Sequence, residues 1–537
     1  MILELLGKLC SLESVTGVKD AENKVPEFLM RELSSWDYFR KYPENLWHRP
    51  LKDDRLERVN FVALVRAEPA VKDTILFISH HDVVDVDVFG RLKPLAFNPF
   101  AYTEALKQEP LNKEAKEDLE SGRWLFGRGV SDMKGGMAVQ LSLLKEYASF
   151  PHKLKANIML MTLADEEDDG YGVHEACRML KEFEDEGFKF IACIDSEPTI
   201  TNATKDEGRI YTGSIGNASL FALAVGKESH VGEYFQGINA ALIAAHLVEG
   251  IEGAPVTADN WMNVSYSPAT CLKIRDLREL YSVTLLDKTA LVFNFLMVRK
   301  KPDDLLSIIK NGAEKALTKA LEGVKNNTEA AGLCPVNYAS LTISFGELTA
   351  QVANEKRMST VALMKELYQN MPSGLDTQER GLEAARRLID ISGLRGPLVL
   401  YGFLSPYCQP RLNERQTEAE MKALAAVEEV IRYAEETFSL SIIHDEVYEG
   451  ISDMSEMGYQ GTDEDLIFLT ENMAGWKTDF HHPFDVMKAL DIPVINLGPI
   501  GKDAHKQTER VDTFFLTRVL PELLKKLVDG LSGGRTI

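Results

Sequence analysis

Short apolar runs of β type alternate with stretches of helical periodicity over the first part of the chain. Residues 61–65 (Phe-Val-Ala-Leu-Val) and 74–78 (Thr-Ile-Leu-Phe-Ile) read as strands and 135–147 as a helix. Residues 156–162 read as a strand, 172–183 as a helix and 190–194 as a strand. Such alternation implies a mainly parallel or mixed sheet with helices on both faces. The stretch 102–122 interrupts it with dense charge and reads as a solvated helix-loop insertion. The first residues, Met1-Ile-Leu-Glu-Leu-Leu-Gly-Lys, place apolar side chains at helical spacing and have no basic leader, so an amphipathic helix is expected there and not a signal peptide.

The pattern changes between 209 and 353. A strand at 218–225 precedes a helix at 237–249, followed by strands near 271–274 and 290–298. A helix at 302–321 and a strand at 340–345 complete the series. The order βαββαβ is that of a ferredoxin-like layer. From 354 helices and strands alternate again, with strands at 397–403 and 493–497. A chain of 537 residues can hold more than one domain. The expected division is a catalytic domain over 1–208 and 354–537, interrupted by a smaller domain over 209–353.

Bulk composition narrows the function classes. An apolar content of 45% with 26% charged residues suits a soluble globular chain. The formal net charge of -22 argues against a nucleic-acid partner, because phosphates would be repelled. The longest apolar stretches, such as 238–245, fall short of a membrane span. Six cysteines lie far apart with no Cys-x-x-Cys pair, which suits reduced thiols in a cytoplasmic protein.

Candidate chemistry sits at the ends of the apolar runs. His80-x-Asp82 follows the run 74–78, Glu166-Glu167 follows 156–162, and Glu197 follows 190–194. Asp132 lies in Gly127-Arg-Gly-Val-Ser-Asp-Met-Lys-Gly-Gly136, and His505 follows 493–497 across a glycine-containing loop. Side chains at strand ends of an open α/β sheet converge on one edge. Carboxylates mixed with imidazoles suit Zn²⁺, with Co²⁺ or Mn²⁺ as substitutes. Two ions sharing one bridging carboxylate need about five protein ligands, and His80, Asp132, Glu167, Glu197 and His505 supply them. Glu166 would face away from its neighbour and act as general base, while Asp82 would orient the His80 ring. Each motif alone has a plainer reading: a capped loop for His-x-Asp, a solvated turn for 165–169, a tight turn for Gly-x-Gly.

Taken together, the five motifs resemble the M20 family of di-zinc peptidases and deacylases. Three further stretches, 122–129, 468–473 and 498–511, resemble the arginine-utilisation (Roc-type) branch. The resemblance implies an α/β di-zinc aminopeptidase-like domain and a ferredoxin-like lid and dimerisation domain, hence a possible homodimer through the lid. It implies that Asp132 bridges two ions, with His80 and Glu197 on one, Glu167 and His505 on the other, and Glu166 as general base. Glu228-Ser-His230 through Asn239-Ala240 resembles the segment whose histidine stabilises the oxyanion, with Asn239 as a substrate contact. Arg299 stands where an arginine binds a substrate carboxylate; a solvated strand-end charge is the alternative.

The chain departs from the family in one loop. Many members carry Gly-Gly-Thr-Asp-Ala-Arg before the last ligand, whereas here Gly450-Ile-Ser-Asp-Met-Ser455 lacks the arginine. An insertion over 456–485 follows, with His481 and His482 either lining the pocket or pairing locally. The expected activity is hydrolysis of a peptide or N-acyl amide bond in a small amino-acid-derived substrate, in amino-acid (arginine) catabolism. A catalytically idle binding protein of the same fold and a two-metal phosphoesterase are the rivals. All ligands and Glu166 are present, and no phosphate-binding glycine-rich loop is.

Overall fold

The computed structural model describes residues 1–199, 207–278 and 280–534 and shows a mixed α/β protein. It forms two compact units. The first comprises residues 1–215, 411–459 and 483–537, and the second residues 216–410 and 460–482.

Among the described residues, the first unit is built on an eight-stranded sheet. Its order is Leu46–Pro50, Val59–Val65, Asn157–Leu163, Asp73–His80, Lys189–Asp195, Val494–Asn496, Gly208–Tyr211 and Ile442–Asp445. The four strands Asn157–Leu163, Asp73–His80, Lys189–Asp195 and Val494–Asn496 are adjacent and mutually parallel. Their register sets His80 beside Leu163, Ile78 beside Asp195, and Asp195 beside Asn496. Every side chain in Asn157–Leu163 is buried, as a strand covered on both faces requires. The covering helices include Lys134–Ser149 and Leu520–Ser532, which pack into the main core with Ile2–Cys10.

Parallel neighbours end at the same edge, so the residues after His80, Leu163, Asp195 and Asn496 are brought together by topology alone. A small sheet joins two of the connections. Trp124–Phe126, which leads to Asp132, pairs with Arg510–Asp512, and that strand pairs with Gly501–Lys502 on the other side of His505. Two glycines allow the close packing at Glu197. A Cβ on Gly136 would lie 2.1 Å from the Ser196 carbonyl oxygen, and one on Gly498 would lie 1.9 Å from that of Glu197.

The charge-dense stretch is not merely solvated. It folds into Pro99–Leu106 and Lys113–Ser121, which bury Tyr102, Leu106, Ala115 and Leu119. Asp118 points inward too, accepting from Arg510 Nε at 2.7 Å and Lys502 Nζ at 3.1 Å. Apart from Asp118 the helix Lys113–Ser121 carries its charges on the exposed side, and the letters alone do not separate an inward aspartate from an outward one.

The second unit also differs from the expected 209–353. Its five-stranded sheet runs Thr270–Asp276, Lys288–Met297, Gly216–Val225, Leu398–Cys408, Leu341–Ser344. The place beside Gly216–Val225 that a ferredoxin-like layer gives its fourth strand is taken by Leu398–Cys408, antiparallel over a long register. Leu341–Ser344, read from sequence as that fourth strand, is an edge strand parallel to Leu398–Cys408. Helices Phe345–Glu355, Thr360–Tyr368 and Thr377–Ser392 cover Phe221, Leu223, Val292 and Leu400. Residues 354–410 therefore belong to the second unit, because both their strand and their helices are packed on its sheet.

Candidate metal centre

His80 closes its strand with the ring fully buried. Its Nε2 lies 3.1 Å from Asp132 Oδ1 and 3.2 Å from Glu197 Oε1. The other Asp132 oxygen, Oδ2, lies 3.3 Å from His505 Nε2, which is also 3.2 and 3.0 Å from the two oxygens of Glu167. Asp132 thus presents one oxygen to each imidazole, the disposition of a bridging carboxylate. Ligand atoms of His80, Asp132 and Glu167 all fall within 4.8 Å of one another, close enough for a shared ion. Glu166 stands further back, with Oε2 3.8 Å from His80 Nε2.

The electrostatics of this pocket call for cations. Burial pushes Glu166, Glu167 and Glu197 above the ordinary carboxylate range, and neighbouring carboxylates push them further. Hydrogen bonds to Asp132 and Glu167 raise His505 to about 10 against the opposing effect of burial. His80 is also raised well above its usual value, since the carboxylates around it more than offset its burial. Carboxylates held this close need either protons or metal ions between them, and two nitrogens with several oxygens form a donor set suited to two divalent ions. The residues present, His80, Asp132, Glu167, Glu197 and His505, have the donor chemistry for such a pair.

Asp82 does more than sequence spacing implied. The His80 Nδ1 lies 3.1 Å from its main-chain carbonyl oxygen and 3.4 Å from Oδ1. Its carboxylate also accepts the main-chain N–H of Glu166 at 3.3 Å and of Glu167 at 3.0 Å. One buried aspartate therefore links the His80 strand end to the acidic pair. Behind that pair, Asp165 has a φ of +69° and its carboxylate accepts from the Tyr171 N–H at 2.9 Å and from Arg58. The turn so formed sends Glu166 toward His80 and Glu167 toward His505.

The family model for Peptidase family M20/M25/M40 matches residues 76–528, from inside the His80 strand to beyond His505. The chain belongs to this family. It is 30% identical to the uncharacterized protein YqjN of Bacillus subtilis (strain 168), over 99% of this chain and 96% of that one. It is 25% identical to Protein RocB of the same organism, over 97% and 93% of the two chains. Among solved structures, the M20 family metallo-carboxypeptidase Sso-CP2 from Sulfolobus solfataricus aligns with a TM-score of 0.55 and 10% identity over 99% of both chains, a likeness of fold.

Several supports of this M20 centre escaped the sequence reading. Asp195 Oδ1 accepts the Ser196 N–H at 2.8 Å, and its Oδ2 accepts the Ser452 hydroxyl at 2.6 Å. Ser452 lies in the loop that lacks the family's arginine, so the loop braces the turn carrying Glu197. Arg128 pairs with Glu509 in full burial. Both residues stand in stretches that carried the resemblance, but an arginine between glycines has no chemical signature of its own.

The remaining sequence candidates belong to the second unit. His230 Nδ1 accepts the Gly232 N–H at 3.1 Å, so the neutral ring carries its proton on Nε2. Asn239 Oδ1 accepts the Ala241 N–H at 2.9 Å and caps the helix Ala240–Ile251. The Arg299 guanidinium lies 3.6 Å from the Trp261 ring centroid, and its main-chain N–H donates to Asp259 at 2.6 Å. His481 stacks on Trp476 at 5.2 Å and His482 at 6.2 Å, a local aromatic packing of the inserted loop.

Proposed function

We propose that this M20 metallohydrolase cleaves a peptide or N-acyl amide bond of a small amino-acid-derived substrate, in the cytoplasm, as a step of amino-acid breakdown. The observation that carries it is the placement of Glu166 beside, and not within, the ligand cluster. When bound, two divalent ions, Zn²⁺ in this reading, would polarise the amide carbonyl and acidify the attacking water. Glu166 takes the proton that water releases as its oxygen joins the carbonyl carbon. It then gives that proton to the departing amide nitrogen as the C–N bond breaks.

The resemblance to the Roc-type branch and the 25% identity to RocB favour an arginine-derived or acylated amino acid. Without the family's usual arginine in the 450–455 loop, Arg299 and Asn239 are the candidates for contacting the substrate. Homodimerisation through the second unit belongs to the same reading.

The test is a screen of the Zn²⁺- or Co²⁺-loaded protein against dipeptides and N-acyl amino acids, arginine derivatives included. Turnover of one class, lost on chelation and regained on adding Zn²⁺ or Co²⁺, is expected. Two bound ions with no turnover of any amide would replace the proposal with an idle binding protein. Hydrolysis of phosphate esters instead would make the chain a phosphoesterase.

His230 is proposed as a donor, through its Nε2–H, to the oxygen that becomes negative during attack. His230→Ala should then lower kcat about 10²-fold at unchanged metal content. A loss of about 1 kcal/mol in stability with normal kcat would assign the residue to its cap alone.

A further inference from the structure

The loop that carries His505 and the loop that carries Asp132 are distant in sequence but share one buried ion pair. Arg128 and Glu509 are 1% and 0% exposed. Glu509 Oε2 accepts from Arg128 Nη1, while its Oε1 accepts the main-chain N–H of Ser131 at 3.3 Å and of Asp132 at 3.5 Å. The other guanidinium nitrogen, Nη2, donates to the His505 carbonyl oxygen at 3.2 Å and to that of Asp85 at 2.9 Å. The planar fork thus ties the two main-chain segments bearing Asp132 and His505 to each other.

His505 needs such a tie. It has a φ of +65°, and its side chain is about half exposed, so neither backbone preference nor packing fixes the ring. The neighbouring clamp, Asp118 on Arg510, closes the same loop but makes no bond to the Asp132 segment. Glu509 and Arg128 bond to both sides, Glu509 to the Ser131 and Asp132 amides and Arg128 to the His505 carbonyl.

We infer that Arg128 and Glu509 are a positioning pair that sets the spacing between Asp132 and His505 and thereby governs retention of the ion those two residues share. The inference rests on the two-metal reading of the site. Lysine keeps the charge and its pairing with Glu509 but lacks the fork that also reaches the His505 carbonyl. Arg128→Lys separates charge balance from positioning for that reason. Arg128→Met/Glu509→Gln is the second variant. It leaves no unpaired buried charge, so folding is preserved, and the glutamine oxygen can still accept from the Ser131 and Asp132 amides.

The measurement is the affinity of each metal-free protein for Zn²⁺ by competition with a chromophoric chelator, alongside its melting temperature. Wild type should bind two ions. Both variants should hold one ion as wild type does and the other roughly 10–100-fold more weakly, with melting temperatures that do not follow that loss. Wild-type affinity for both ions in Arg128→Lys, or full recovery in the double variant, would reduce the pair to charge balance and overturn the inference. Failure of wild type itself to bind two ions would instead overturn the reading of the site.

Discussion

Glu166→Gln should leave two metal ions bound and lower kcat by roughly 10²–10⁴-fold, the usual contribution of a general base. The two side chains have the same shape, but an amide cannot take a proton at neutral pH. Metal should be retained because Glu166 stands 3.8 Å from His80 Nε2, whereas Asp132 and Glu197 approach the same atom at 3.1 and 3.2 Å. Glu167→Gln provides the contrast. Both Glu167 oxygens lie within 3.2 Å of His505 Nε2, so weakening this carboxylate should cost metal occupancy before it costs chemistry. The pair is read out by metal content per chain and single-turnover rate on the same preparation. Metal loss in Glu166→Gln, or turnover that survives it, would reverse the assignment of the two glutamates.

The convergence of these groups was legible because it follows from chain order and strand type. The runs 74–78, 156–162 and 190–194 are continuous and apolar, as strands buried on both faces must be. Each is followed within a few residues by a cluster of acids or histidine: His80-x-Asp82, Asp165-Glu166-Glu167 and Asp195-x-Glu197. The structure makes those strands parallel neighbours, and His80, Glu166, Glu167 and Glu197 come together as a result. His505 was legible for the same reason, since Val494–Asn496 extends the parallel set.

What sequence did not reveal depends on partners it does not name. Leu398–Cys408 has the composition of any buried strand, and only its pairing with Gly216–Val225 assigns it to the second unit. Asp118 looks like the other acids of its helix until the fold turns it toward Arg510. The bonds from Asp82 to the Glu166 and Glu167 amides were invisible because a main-chain N–H is common to every residue except proline. Ser452 is a further instance. A loop notable for the arginine it lacks holds the Asp195 carboxylate through a hydroxyl.

Asp82→Ala should be nearly as damaging as loss of the base, although Asp82 is not placed among the metal ligands. Removing one outer partner of a ligand typically costs roughly 10–100-fold in affinity or activity. The Asp82 carboxylate is such a partner twice over, for His80 through Oδ1 at 3.4 Å from Nδ1, where alanine would keep only the main-chain carbonyl contact, and for Glu167 through the bond to its amide. If the two losses compound, activity should fall by about 10²–10⁴-fold. Part of the loss should appear as weaker metal binding, which separates this variant from Glu166→Gln. The Glu166 amide would also lose its acceptor, so excess Zn²⁺ should restore occupancy without restoring the full rate. Asp82→Asn sharpens the test, since its side-chain oxygen can accept only one of the two amides well and its NH₂ group faces the other. It should fall between wild type and Asp82→Ala in both metal affinity and rate. Wild-type rate and metal content in Asp82→Ala would show that the turn at Asp165 holds the acidic pair without help from the His80 strand.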